Sequence, residues 1–127
     1  MFDDVARSVS ILATRREELH VAAQNLIEFW AVATRPIANN GLGLSVVQTE
    51  VEVIRLKNLF ALVPDTPDIF FEWERIVRQY QVSGKQVHDA RLVAAMKVHG
   101  LQNLLTFNDG DFKRFPEITA VNPQRVS

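Results

Sequence analysis

The 127-residue sequence contains no cysteine, which excludes a disulfide framework, a thiolate zinc site and a cysteine nucleophile, and suits a reducing cytoplasm. It also lacks an excess of either charge. Fourteen Lys and Arg against fifteen Asp and Glu leave a net charge of -1, with the signs interspersed, so neither a basic nucleic-acid arm nor an acidic tail is present. Any contact with RNA or DNA has to come from a local patch. No apolar run approaches the roughly 20 residues that span a bilayer, and Met1-Phe2-Asp3-Asp4 is not a basic, apolar leader. There is no internal repeat. The only loop-like clusters, Arg35-Pro36 to Gly43 and Val82-Ser83-Gly84-Lys85, are too short to be domain linkers. What is present is a 47% apolar fraction, enough for a core. The expectation is one soluble, cytoplasmic domain with no membrane partner.

The apolar periodicity predicts alternating helices and strands. Asp3 or Asp4 can cap a first helix reaching about Glu17, with Val5, Val9 and Leu12 on one face. Leu19 to Ala23 reads as a strand, and Asn25 as the cap of a helix that buries Leu26, Phe29, Trp30 and Ala33 and ends at Pro36. Glu28 falls in its first turn. Ser45 and Gln48 fit a capping box, with Val47, Val51 and Ile54 directed inward. Ala61-Leu62-Val63 reads as a strand; Thr66-Pro67 then opens a helix with Ile69, Trp73, Ile76 and Tyr80 as its buried stripe. The segment from Val87 to His99, apolar nearly all round in its middle and stopped by Gly100, belongs against a sheet. Leu104-Leu105-Thr106 and Ile118 to Val121 are the last two strands. The order implies a three-layer α/β/α domain with a mostly parallel sheet, in which ligands bind beyond the carboxyl ends of the strands.

Three acidic segments fall at such positions. Glu28 and Asp89 stand near helix N-termini, where the macrodipole favours the ionised form. Asp89 directly precedes the most apolar helix, where an unpartnered charge is costly, so a cation or donor is expected beside it. In Thr106-Phe107-Asn108-Asp109-Gly110-Asp111-Phe112, either Asp109 or Asp111 can reach the same edge. Hard oxygen donors of this kind suit Mg²⁺ or Mn²⁺ and hence phosphodiester hydrolysis. For any single one of these acids, a helix cap or surface ion pair is the more ordinary reading.

Gly84 to Met96, with the loop from Leu104 to Phe112 and Phe115-Pro116, resembles the carboxyl-terminal half of a bacterial PIN domain of the VapC toxin type. Gln24-Asn25-Leu26-Ile27-Glu28-Phe29-Trp30-Ala31-Val32-Ala33-Thr34-Arg35-Pro36 resembles that family's second motif, and the likeness runs from about Leu19 to Pro123. The resemblance implies an Mg²⁺-dependent ribonuclease, usually a homodimer and often held inactive by a small antitoxin protein. It makes Glu28 and Asp89 catalytic metal ligands. Asp111 or Asp109 completes the site, as a second metal ligand or by orienting water, with Asn108 as a polar helper and Thr106 bonding a ligating carboxylate. PIN domains open with a central strand ending in aspartate, and this chain is expected to lack it. Asp3 and Asp4 are not assumed to substitute, and cleavage by the 127-residue chain is expected to be weak or absent. The gap in the sheet would be closed by direct pairing of its halves, by exchange with a second copy, or by a borrowed strand.

Other residues carry ordinary readings beside functional ones. His88 is expected at the surface or in a cap, and His20 and His99 as structural. Trp30, Trp73, Phe70 and Phe71 can stack on bases, but at helical spacing they more often form core or dimer surface. Lys85, Arg91 and Arg35 are candidate phosphate contacts; Glu74 and Arg78 form an exposed i,i+4 pair. The alternative to a nuclease is a non-catalytic PIN-like module for interaction or dimerisation. A third reading is a phosphatase or other small-molecule hydrolase using the same metal cluster.

Overall fold

The structure, a computed structural model, describes residues 11–13, 19–106 and 108–122. Five short strands form one sheet: β1 (Ile11–Ala13), β2 (Leu19–Ala22), β3 (Ala61–Val63), β4 (Asn103–Leu105) and β5 (Thr119–Val121), in the order β3-β2-β1-β4-β5. β2 is parallel to β3 and β4 to β5, while β1 is antiparallel to both its neighbours. Four strands therefore point one way and the central one points back. The carboxyl ends of β2 to β5 share an edge, and Ile11, paired with Leu105, begins β1 at that same edge.

The helices are α1 (Ala23–Thr34), α2 (Val46–Leu59), α3 (Pro67–Gln79) and α4 (Gln86–Val98). Alternation along β2 sends Val21 to one side of the sheet and Ala22 to the other. Val21 joins Phe29, Ala33, Leu56 and Phe60 in a small core under α1 and α2. Ala22 joins Val63, Ile69, Ile76, Leu104, Phe115 and the middle of α4 in the larger core. Leu92 to Met96 are all buried, as an apolar surround on a sheet-covered helix requires. No helix among the described residues is long and apolar enough to cross a membrane.

Local chemistry sets most boundaries. The Ser45 hydroxyl accepts from the Gln48 amide at 3.0 Å, while the Gln48 side chain accepts from the Ser45 amide at 2.9 Å, closing the capping box that starts α2. Pro67 occupies the first turn of α3. Arg35 is extended ahead of Pro36, and α1 stops there. Gly100, at φ +69°, takes the left-handed conformation that ends α4, and the Leu101 amide reaches back to the Met96 carbonyl at 2.8 Å.

Several expectations are corrected. Ile11–Ala13 is a strand inside the segment expected to be the first helix; the rest of that segment, with Asp3 and Asp4, lies outside the described residues. Here the unpaired edges of β2 and β4 decide the conformation, since three extended residues satisfy both ladders. The centre of the sheet is thus occupied by the chain's own residues. α1 starts before Asn25, whose Oδ1 instead accepts the Ala22 amide at 2.7 Å from inside the first turn. Glu28 consequently sits in the second turn. α2 is turned over relative to expectation: Val47, Val51 and Ile54 are exposed, and Thr49, Glu52 and Leu56 face inward. The charge of buried Glu52 is met by Arg55 at 3.3 Å. Thr66 holds the cap position of α3 but its hydroxyl makes no capping bond.

Candidate active site

The common carboxyl edge gathers the candidate acids. Asp89 lies in the first turn of α4, half-buried, and burial pushes its carboxyl up to about 6. The negative charges of Asp111 and then Glu28 add to that rise, and His88 offsets part of it. Asp111 comes from the 3-10 turn Asp109–Phe112 that follows β4, and Glu28 from α1 after β2. Two acids far from it in sequence therefore act on Asp89 at one edge. No donor among the described residues hydrogen-bonds the Asp89 carboxylate, and the positive charge acting on it is that of His88.

Glu28 is tied to this edge by a residue that sequence reasoning left without a role. Gln24, buried in the first turn of α1, donates its Nε2 to Glu28 Oε1 at 3.1 Å and to the His88 carbonyl at 2.6 Å. Its Oε1 accepts from Arg91 Nη1 at 3.2 Å. One carboxamide thus joins α1 to the start of α4 and fixes Glu28 beside Asp89's helix. The available signal was its position four residues before Glu28, one helical turn away on the same face.

The remaining candidates are distributed around this centre. Asp109 Oδ1 accepts from Asn122 Nδ2 at 3.1 Å, which engages Asp109 with the end of β5, and Asp109 is not among the charges acting on Asp89. Thr106 is buried, and its hydroxyl accepts from the Asn108 amide at 3.1 Å, holding the loop that leads to Asp111. Asn108 is exposed at the start of the 3-10 turn. Lys85 is exposed at the cap position of α4. Arg91 spans from Gln24 to Asp65, with Nη2 3.4 Å from Asp65 Oδ1, and so borders the acidic edge. Arg35 is exposed at the end of α1. His88 is exposed, and His99 Nε2 meets the Pro64 carbonyl at 2.8 Å in a structural contact.

Among the described residues no group of three or more His, Cys, Asp or Glu side chains is placed to hold one metal ion together. Mg²⁺ does not require one, because it takes one or two carboxylates and keeps its waters. The donor set fits such an ion: hard oxygens only, with a partly buried carboxylate whose repulsion by two others a cation would relieve.

Fold and site together define an α/β domain with a carboxylate-lined edge at the ends of its parallel strands. The sequence matches the PIN domain over residues 2–118, and the chain belongs to the PIN domain family, whose members are generally metal-dependent nucleases. A search of curated proteins found no match.

Proposed function

We propose that this chain is an endoribonuclease domain of the VapC toxin type that hydrolyses RNA phosphodiesters with Mg²⁺ or Mn²⁺ held by Glu28 and Asp89, Asp111 binding a second ion or orienting water. The observation that carries the reading is the Asp89 carboxylate: half-buried, repelled by Asp111 and Glu28, and without a hydrogen-bond donor among the described residues. The ion, when bound, supplies a charge for the phosphoryl oxygens and a water of lowered pKa as nucleophile. Gln24 orients Glu28, while Thr106 and Asn108 set the loop that presents Asp111. Asp109 is left to the Asn122 contact. Arg91 and Lys85 offer positive charge to the RNA backbone beside the acids.

The reading includes weak cleavage by the 127-residue protein. The central strand β1 runs antiparallel to its neighbours, and Ile11-Leu12-Ala13 contains no carboxylate that could join Glu28 and Asp89. Thermal denaturation in increasing Mn²⁺ tests the site. The midpoint should rise with metal in the parent protein and stay fixed in Asp89→Asn, alongside slow, metal-dependent cleavage of single-stranded RNA that the variant loses. An unchanged midpoint in the parent protein removes the metal site.

A second reading is a non-catalytic interaction module, as a homodimer or as the target of a small antitoxin. It is favoured by the face of α2, where Val46, Val47 and Ile54 are each more than half exposed. The metal titration separates the two, because this second reading predicts no response.

A further inference from the structure

A cleft of about 370 Å³ opens between α3 and α4, next to the acidic edge. Ile69, Phe70 and Trp73 form its apolar wall, and Thr66, His88 and Arg91 its polar border. Its volume lies at the lower end of the roughly 300–1,000 Å³ typical of small-ligand pockets, so it suits a single planar group better than a helix. We propose that this cleft receives one unstacked nucleobase of a single-stranded RNA whose backbone runs past the edge of Glu28, Asp89 and Asp111; the proposal rests on the nuclease reading and adds to it a base-binding subsite.

Five features point to a base. The Phe70 and Trp73 rings lie 5.7 Å apart and only 34° from parallel, giving a wall of aromatic faces. The Trp73 indole N–H is already committed to the Val87 carbonyl at 2.8 Å, so the ring offers its face and not its donor. Phe70 is 55% exposed and, unlike its more exposed neighbour Phe71, lines the cleft. Arg91 belongs to both places: it lines the cleft and bonds Gln24, the residue that positions Glu28. His88 borders the cleft while Asp89, next in the chain, faces the acids, so cleft and carboxylates are one residue apart along α4. A strand with its phosphate at the acids places a neighbouring base within reach, and unpaired bases are read by stacking on aromatic and guanidinium planes. A duplex cannot offer a base in this way.

The test uses the full chain carrying Trp30→Phe, which leaves Trp73 as its single tryptophan. A cleavage-resistant 2′-O-methyl oligoribonucleotide and an abasic strand of equal length are titrated in Mg²⁺ buffer while Trp73 fluorescence and affinity are followed. The base-bearing strand should quench Trp73 and bind more tightly than the abasic one. Phe70→Ala should weaken the base-bearing strand about tenfold and leave the abasic strand unchanged, and Phe70→Tyr should restore binding. Equal affinity for both strands, or a Phe70→Ala protein that is folded by circular dichroism and binds both like the parent, overturns the proposal. So does a Phe70→Ala protein that loses self-association but no RNA affinity, which assigns the cleft to a second copy. The nuclease reading is scored separately, by metal-dependent cleavage of an unmodified strand and its loss in Asp89→Asn. Base-dependent binding without cleavage leaves the cleft standing and removes the catalysis; cleavage with an indifferent Phe70→Ala does the reverse.

Discussion

Glu117 and Asp89 are both partly buried carboxylates packed against the larger core, and their surroundings are opposite. Glu117 accepts from Arg75 at 2.7 Å and from the Tyr80 hydroxyl at 3.0 Å, with Lys97 Nζ at 3.5 Å. Burial opposes its charge, but the hydrogen bonds from Arg75 and Tyr80 and the charges of Arg75 and Lys97 outweigh that, holding its carboxyl below the usual range. Asp89 is raised to about 6 by burial and then by two acids. Arg75 and Lys97 thus meet the carboxylate that fastens α3 and α4 to the loop before β5, whereas the Arg91 guanidinium at the strand-end edge is engaged with Gln24 and Asp65 and makes no ion pair with Asp89. Ionised Asp89 therefore costs the fold free energy at neutral pH, where ionised Glu117 contributes it.

Three substitutions break or sharpen that contrast. The largest effect is expected from Gln24→Ala, which removes the carboxamide between Glu28, Arg91 and the His88 carbonyl. Leaving those groups unsatisfied should cost about 2 kcal/mol in urea denaturation, and the metal-induced rise in melting midpoint should shrink because Glu28 is no longer held. Glu117→Gln comes next, with an expected loss of about 1–2 kcal/mol at pH 7, limited by the solvent exposure of its partners. Its folded carboxyl lies below its ordinary value, so this contribution is present above that value and disappears as the pH falls through the folded one. The variant should therefore lose stability at neutral pH and resemble the parent in acid.

Asp89→Asn should do the reverse and by less. The folded Asp89 carboxyl titrates near 6, against 3.8 for the free group, so the folded state holds the extra proton between those values. Its penalty is absent below about 3.8, grows as the pH rises, and is complete above 6. Without metal, Asp89→Asn should gain about 1 kcal/mol at pH 7, after discounting for solvent screening, and nothing at pH 3.5. Denaturation midpoints across this range in the two variants should bend in opposite directions. A destabilised Asp89→Asn at pH 7 would mean that an undetected partner holds this carboxylate.

The parts of the fold legible in the sequence are those decided by neighbouring residues. The Ser45–Gln48 box, Pro67, the stop at Gly100 and the all-round apolar α4 follow from groups within one or two turns of each other. The strands β2 and β3 could be placed because each is a short apolar run between helices, and β4 and β5 because each is one flanking a polar loop. What failed was decided at a distance. Ile11–Ala13 fits a helical face as well as a strand, and only the open ladders of β2 and β4 select the latter. α2 carries two stripes, Val47-Val51-Ile54 and Thr49-Glu52-Leu56, and packing against α1 chose the less apolar one, so hydrophobicity pointed to the wrong face. At the candidate site, helix starts and strand ends picked out Glu28 and Asp89, but nothing local separates Asp109 from Asp111. In the fold Asn122 bonds Asp109, while the charge of Asp111 acts on Asp89. Gln24 was passed over because a glutamine on a helix advertises no chemistry until its three partners are seen together.

The reversed central strand has a practical corollary for handling the protein. Ile11 enters the sheet, and Val121 leaves it, on the side where the acids stand. An affinity tag or fusion partner joined closely to either strand starts its path at that mouth, so a reporter attached through the helical side, for instance at the exposed end of α2, leaves access for a long substrate unobstructed.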